Sequence, residues 1–110
     1  MADADTATRA LILKLASDPA AVLADAHATS NMLAWNLTLD DVREAICDCI
    51  RNGERVKLTT VKTHPKALAG QPAYEVKQAI DGRRFYIRMA ILQPGPGQEA
   101  LLVVSVHPDV

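Results

Sequence analysis

The second half of the chain contains cations, a phenol and an imidazole that together have the chemistry needed to cleave a ribose–phosphate bond without a metal: Arg55, Lys57, Lys77, Arg88, Tyr86 and His107. An imidazole, with an ordinary pKa of roughly 6.5, can accept or donate a proton at neutral pH. Ammonium and guanidinium groups stabilise the charge of a pentacoordinate phosphorane, and a phenol is a further proton donor. One general acid or base accelerates a reaction by about 10²–10⁴-fold. Useful turnover therefore requires the chain to bring several of these groups together.

An Asp-Gly pair, Asp81-Gly82, indicates how these side chains meet. It separates two extended runs, residues 72 to 80 and 83 to 92, and Asp-Gly supplies the two positive φ angles of a type I′ hairpin turn. Such a turn pairs Ile80 with Arg83. Alternation then places the more polar side chains on one face as the opposed pairs Glu75–Arg88, Lys77–Tyr86 and Ala79–Arg84. The other face is mostly apolar, and its pairs are Tyr74–Met89, Val76–Ile87 and Gln78–Phe85.

A strand is also predicted before the hairpin, over residues 54 to 63, where apolar and polar side chains alternate. The side chains on its polar face are Arg55, Lys57 and Thr59. Cations on an exposed strand face more commonly serve solvation and protect a sheet edge, and Glu75 opposite Arg88 can be a simple cross-strand ion pair. The polar face has a structural interpretation as well as a chemical one.

The last strand is predicted from a run that is apolar at nearly every position, residues 99 to 106. This pattern is typical of a central strand covered on both sides. Alternation puts Ser105 and His107 on one face, although His107 taken alone is an ordinary exposed residue near a chain end. If that face coincides with the polar face of the hairpin, one sheet surface carries cations, a phenol and an imidazole.

Three helices are predicted ahead of the strands. The first runs to about Ala16, and the second begins at Asp18-Pro19, a capping residue followed by a proline suited to the first helical position. The third begins after Thr38 and stops at Gly53. The apolar residues assigned to the second helix are Val22, Leu23 and Ala26.

This order of elements predicts an α+β fold with two to three N-terminal helices packed on an antiparallel sheet of about four strands. At 110 residues the chain is long enough for one hydrophobic core. We expect residues 1–110 to form a single domain, with a helical part over 1–52 and the sheet over 53–110.

Composition excludes some classes of protein. The content of 49% hydrophobic and 23% charged residues is that of a globular chain. The sequence predicts a cytoplasmic protein with no membrane partner, because it lacks a secretory signal pattern and an apolar stretch of ~20 residues. Cys47 and Cys49 are expected to be reduced. No cofactor or metal is predicted, since no phosphate-binding loop, dinucleotide fingerprint or zinc spacing occurs.

Charge is unevenly distributed along the chain. Residues 1–52 contain four basic and eight acidic side chains, whereas residues 53–110 contain eight basic and five acidic ones. A polyanion is therefore expected to bind the second half. The acidic first half is instead suited to a basic partner.

From about Ala28 to His107, the order of short patches resembles the motility quorum-sensing regulator (MqsR) family of bacterial toxins, relatives of the RelE-type mRNA interferases. The patches are AWNLTLDDVREAICDCI, RVKLTTV, GQPAYEV, FYIRM and VVSVH. In that family the corresponding strands read approximately FYKSMTT, WQDVY, YxK and VSFK. The resemblance implies a RelE-like or microbial-ribonuclease-like fold, with endoribonuclease activity on single-stranded mRNA. It also implies neutralisation by an antitoxin encoded next to the toxin.

The resemblance carries over to five positions, which become the candidate catalytic residues. They are Lys57, Gln71, Tyr86, Arg88 and His107. The chain departs from the family pattern at three places: Arg55-Val56 replaces Phe-Tyr, Gly70 replaces Trp, and His107 replaces the terminal lysine.

Other residues are assigned supporting roles in this hypothesis. Arg55, Lys62, Lys77 and Arg84 are candidate RNA-binding residues, and His64 is a reserve acid or base. The alternative is a non-catalytic protein-binding module of the same fold, such as an immunity or regulatory protein, whose basic face binds an acidic partner.

Overall fold

A computed structural model describes residues 3–62 and 65–109. Three α-helices and five β-strands make up the fold. In chain order they are α1 (Thr6–Ala16), β1 (Val22–Ala24), α2 (Ala26–Ala34), α3 (Leu39–Arg51), β2 (Lys57–Thr60), β3 (Pro72–Ile80), β4 (Arg83–Leu92) and β5 (Ala100–Pro108). Single 3₁₀ turns cover Pro19–Ala21 and Lys66–Leu68. None of the described helices has the length and apolar character needed to cross a membrane.

The five strands form one mixed sheet in the order β1-β5-β4-β3-β2. The pairs β2–β3, β3–β4 and β4–β5 are antiparallel, as predicted, whereas β1 pairs with β5 in parallel. The α+β class is confirmed. The prediction of an antiparallel sheet of about four strands holds for β2 to β5, but the whole sheet is mixed and has five strands, because the short β1 adds in parallel to the free edge of β5.

That fifth strand lies where the second helix was predicted to begin. Asp18 and Pro19 do start a helical turn, with the Asp18 carboxylate accepting from the Ala20 N–H at 3.0 Å, but the turn is 3₁₀ and ends at Ala21. Val22 then enters the sheet and is buried. Asp25 caps α2 instead. Pairing with β5 overrides the local helix signal, since propensity is a weak prior against tertiary contacts.

The third helix follows its prediction closely. Thr38 caps α3 in a reciprocal capping box: the Thr38 side chain accepts from the Asp41 N–H, and the Asp41 carboxylate accepts from the Thr38 N–H. Its apolar stripe packs against β3, and α1 packs beside it. The helices thus cover one face of the sheet and leave the other face to the polar residues.

The hairpin register is the one that the Asp-Gly turn predicts. Ile80 pairs with Arg83, and the pairs that follow include Lys77 with Tyr86 and Glu75 with Arg88. Asp81 and Gly82 have φ angles of 51° and 82°, the left-handed values that a type I′ turn requires.

β2 is shorter than predicted and spans Lys57–Thr60. Arg55 therefore lies just before the strand, although it remains near Lys57 and forms an ion pair with Asp3. After the strand, residues 65 to 71 lead into β3, and Leu68 among them packs on Val61 and Ala90 at one end of the polar face. Leu68 therefore covers that end of the polar face.

Candidate functional site

Two rows of cross-strand partners form the polar face of the sheet. The first row is Lys57, Glu75, Arg88 and Ser105, on β2, β3, β4 and β5 in turn; the second is Lys77, Tyr86 and His107, on β3, β4 and β5. Neighbouring strands lie ~4.8 Å apart, and residues two apart along a strand share a face. The two rows are therefore adjacent, and they bring cations, a carboxylate, a phenol and an imidazole to one surface.

A β-bulge in β5 turns the polar side chains at the end of that strand towards the polar face. Met89 pairs with Val103, but the preceding residue Arg88 pairs with Ser105, so Val104 is an extra residue on β5. Without the irregularity, Arg88 would face Val104 and the side chains of β5 would alternate the other way. The bulge thus places Ser105, and with it His107, beside the polar residues of β4.

Glu75 is a buried carboxylate at the centre of the first row. Its side chain is 7% exposed, and its oxygens lie 3.5 Å from Nη2 of Arg88 and 4.0 Å from Nζ of Lys57. A buried carboxylate is costly unless cations and hydrogen bonds compensate it. Lys57 and Arg88, the two cations predicted to be catalytic, compensate this acid. The sequence offered the contact of Glu75 with Arg88 only as a possible cross-strand ion pair.

Tyr86 is hydrogen-bonded to this cluster. Arg88 donates from Nη2 to the Tyr86 hydroxyl, and the guanidinium also lies 5.3 Å from the centroid of the phenol ring. Burial, followed by hydrogen bonding with Glu75, raises the pKa of Tyr86 to about 12 despite the opposing charge of Arg88. The phenol is therefore protonated throughout the physiological range and is a proton donor.

His107 lies opposite Tyr86 in the second row, beside α2. Its ring centroid is 5.7 Å from that of His27, the second residue of α2. Burial lowers the pKa of His107, and the neighbouring His27 and Arg88 lower it further. A neutral imidazole follows at neutral pH, which is the form that accepts a proton.

α2 holds His27 in this position through contacts with the edge of β5. The Asn31 side chain accepts from the Val106 N–H at 3.0 Å, and the Asp25 N–H donates to the Val103 carbonyl at 3.1 Å. β1 pairs with the edge of β5 as far as Val103, and α2 contacts the same edge beyond that point. α2 therefore borders the polar face on its β5 side.

Two buried polar atoms of the first row make no hydrogen bond within the described part of the chain. Among the described residues, neither Nε of Arg88 nor Oγ of Ser105 has a partner, and both atoms are buried. Burial of an unsatisfied polar group costs roughly 1–3 kcal/mol. A ligand oxygen that reached this cross-strand pair would recover part of that cost.

A cleft lies on the other side of the row, over β2 and β3. The residues that line it are Glu54, Arg55, Lys57, Glu75, Lys77 and Arg84. Its outer cations are paired with carboxylates: Arg55 with Asp3, and both Lys77 and Arg84 with Asp109, at 3.6 and 3.2 Å. The cleft is consequently a surface of mixed charge, not a purely positive one.

The structure thus brings together four of the five predicted catalytic residues, Lys57, Tyr86, Arg88 and His107, and three predicted RNA-binding residues, Arg55, Lys77 and Arg84. Gln71 is separated from them, because it precedes β3 and lies four residues from Glu75, about 13 Å at the rise of a strand. Lys62 follows β2 and is exposed. His64, the reserve acid or base, lies outside the described residues.

Three further residues of the site were not selected from the sequence: Glu75, Ser105 and His27. A signal for Glu75 was present, since it is the one acid on the predicted polar face of the hairpin. The contribution of His27 comes from the packing of α2 beside β5, which local sequence does not encode.

Comparison with known proteins gave no match to a family model, a curated protein or a solved structure. The function is therefore argued from the geometry of the polar face.

Proposed function

We propose that the protein is a metal-independent endoribonuclease that cleaves single-stranded RNA by attack of the ribose 2′-OH on the adjacent phosphate. The observation that carries the proposal is the pairing of Tyr86 with His107 across β4 and β5, next to Arg88 and the buried Glu75. These groups lie on the sheet face opposite α1 and α3, and α2 borders that face at β5. A sheet needs one apolar face for its core, but it does not need a buried carboxylate with two cations on the other.

The protonation states on the polar face favour one assignment of roles. Neutral His107 accepts the proton of the 2′-OH, and the oxygen forms a bond to phosphorus. Arg88 and Lys57 stabilise the resulting phosphorane. The bond from phosphorus to the 5′-oxygen then breaks, and Tyr86 donates its proton to the departing oxygen. The products are a 2′,3′-cyclic phosphate and a 5′-hydroxyl end.

Glu75 and Ser105 act through their neighbours in this proposal. Glu75 holds the Arg88 guanidinium from one side and Lys57 from the other, with separations of 3.5 and 4.0 Å. Ser105 lies opposite Arg88 with its hydroxyl uncommitted among the described residues. Both are positioning residues, because preorganised cations stabilise a transition state without the cost of reorienting them.

The direct test is cleavage of a single-stranded RNA by the purified chain with EDTA present. We expect 2′,3′-cyclic phosphate ends and a loss of rate of roughly 10²-fold or more in His107→Asn, as for removal of a general base. Arg88→Lys keeps the charge but loses the planar guanidinium, and it is expected to lower the rate at least about tenfold. Lys14→Ala, at an exposed position of α1, is the matched control. Equal rates in all four proteins would refute the residue assignment.

The proposal includes a role as the toxin of a toxin–antitoxin pair, which the resemblance to the MqsR family supports. Induced expression is then expected to arrest growth, and co-expression of the neighbouring gene is expected to restore it. The His107→Asn variant should be harmless at equal expression. Arrest by that variant would separate toxicity from the proposed chemistry.

A non-catalytic protein-binding module is the second candidate, and one surface favours it. An apolar groove between β1 and α2 is lined in part by Leu23 and Leu33, which are 50% and 76% exposed. Exposed apolar patches mark interaction sites more often than chance. This candidate predicts no RNA cleavage at any protein concentration and no growth arrest.

A further inference from the structure

The cleft over β2 and β3 suggests on which side of the cleaved bond the substrate is held. We propose that this cleft binds the phosphate on the 3′ side of the leaving nucleoside, so that the substrate is an RNA strand continuing downstream of the cleaved bond. The inference rests on the proposed function, because it takes the scissile phosphate to lie over Arg88 and Tyr86. It adds the direction in which the strand crosses the sheet.

The position of His107 determines that direction. The 2′-OH belongs to the nucleotide upstream of the cleaved bond, so this nucleotide must approach the imidazole on β5. The leaving nucleoside then lies towards β3, on the opposite side of Arg88 and Tyr86. This is the side on which the cleft opens, whereas α2 with His27 closes the other.

The cations of the cleft can release their carboxylate partners and bind a phosphate instead. The side chains of Lys77 and Arg84 are 46% and 61% exposed, and both share the single carboxylate of Asp109. Solvent-exposed ion pairs are weak, and a guanidinium binds a phosphate through two parallel hydrogen bonds. Arg55, paired with the exposed Asp3, offers a second guanidinium at the same cleft.

The carboxylates of the cleft limit what it can bind. Glu54 and Glu75 line it together with the cations. Asp109 lies within ion-pair distance of Lys77 and Arg84. A surface of this mixed charge gives little attraction to a polyanion at long range. It is suited to one phosphate at short range, where directed hydrogen bonds determine affinity.

The experiment measures binding of uncleavable 2′-deoxy dinucleotides to the full chain by NMR titration. Three ligands are compared: the unphosphorylated dinucleotide, the same molecule with a 3′-phosphate, and the same molecule with a 5′-phosphate. We expect the 3′-phosphate to lower the dissociation constant roughly tenfold, the scale of one charge-assisted contact, and the 5′-phosphate to leave it nearly unchanged. Arg84→Gln and Arg55→Gln should each remove most of the gain, and Lys14→Gln should keep it.

An equal gain from both phosphates, a larger gain from the 5′-phosphate, or no gain from either would overturn the inference. Because the ligands cannot be cleaved, the result does not depend on catalysis. A 3′ preference in a protein that leaves RNA intact would reject the ribonuclease and retain the cleft as a phosphate site. Cleavage of RNA without a 3′ preference would retain the ribonuclease and reject the cleft.

Discussion

Glu75 and Arg88 face each other across β3 and β4, with Nη2 of Arg88 3.5 Å from a Glu75 oxygen and side chains that are 7% and 15% exposed. The same guanidinium donates to the Tyr86 hydroxyl. The pair therefore connects the buried acid of the site to its phenol. A purely structural pair would hold the sheet together, whereas the proposed site also requires this pair to orient a cation.

The first prediction concerns the stability that this pair gives the fold. Arg88→Met leaves Lys57, at 4.0 Å, as the remaining cation beside the buried Glu75 carboxylate among the described residues, and is expected to lower the free energy of unfolding by about 3 kcal/mol. The double variant Glu75→Gln/Arg88→Met should recover a substantial part of the lost free energy of unfolding, because it no longer contains an uncompensated buried charge. Urea denaturation of the wild type, Glu75→Gln, Arg88→Met and the double variant measures the coupling free energy between the two residues. Additive losses would contradict a close buried pair.

The second prediction concerns the Tyr86 phenol. In a Tyr74→Phe background Tyr86 is the remaining tyrosine, and its phenolate absorbance should appear at a pH near its pKa of about 12. An unfolded tyrosine ionises at about 10, so the folded state retains its proton longer. The stability from this group is complete below the unfolded pKa and is lost as the pH rises through the folded one. Ionisation at the ordinary value would remove Tyr86 as a proton donor held by burial.

The third prediction concerns the two imidazoles. The groups that face His107 are His27 on α2 and Tyr86 and Arg88 on β4. His27→Gln removes one of the two side chains that lower the pKa of His107 electrostatically, and it should raise that pKa, read from the ring signals of His107 in an NMR titration. Ser30→Gln, at an exposed position of the same helix, is the control. An unchanged pKa in His27→Gln would show that the two rings do not interact in solution.

The fourth prediction is the pH dependence of RNA cleavage. With His107 as the base, kcat/KM should rise as the pH increases through the lowered pKa of His107 and then stay level through neutral pH, since Tyr86 keeps its proton to about pH 12. If Glu75 were the base and His107 the acid, kcat/KM would instead fall above that pKa. A profile measured from pH 4 to 9 on one RNA distinguishes these assignments.

Local signals in the sequence were sufficient for the hairpin and the third helix. The Asp81-Gly82 turn determines the register over seven residues of β3, from Tyr74 to Ile80, and the Thr38–Asp41 capping box determines where α3 begins. Both depend on side chains and backbone within a few residues, which is why pattern arguments succeed there.

Elements that depend on distant partners could not be predicted in the same way. Val22–Ala24 forms a strand because β5 offers a free edge beside it, and no signal within the segment identifies that edge. The face of β5 was likewise undetermined. Alternation shows that Ser105 and His107 share a side, but the bulge at Val104 decides that it is the side of Arg88 and Tyr86. Placement of His27 follows from helix packing and has no local signal.

The central claim, that this polar face cleaves RNA through the 2′-OH, is tested most directly with two matched oligonucleotides. One is all-ribose with a single mapped cleavage site, and the other differs by a 2′-deoxy sugar immediately upstream of that bond. Incubated with the purified chain and EDTA, the first is expected to give a 2′,3′-cyclic phosphate end by mass spectrometry, and the second to remain intact at that bond. Cleavage of the deoxy-substituted bond at a similar rate, or cleavage of neither oligonucleotide, would contradict the account.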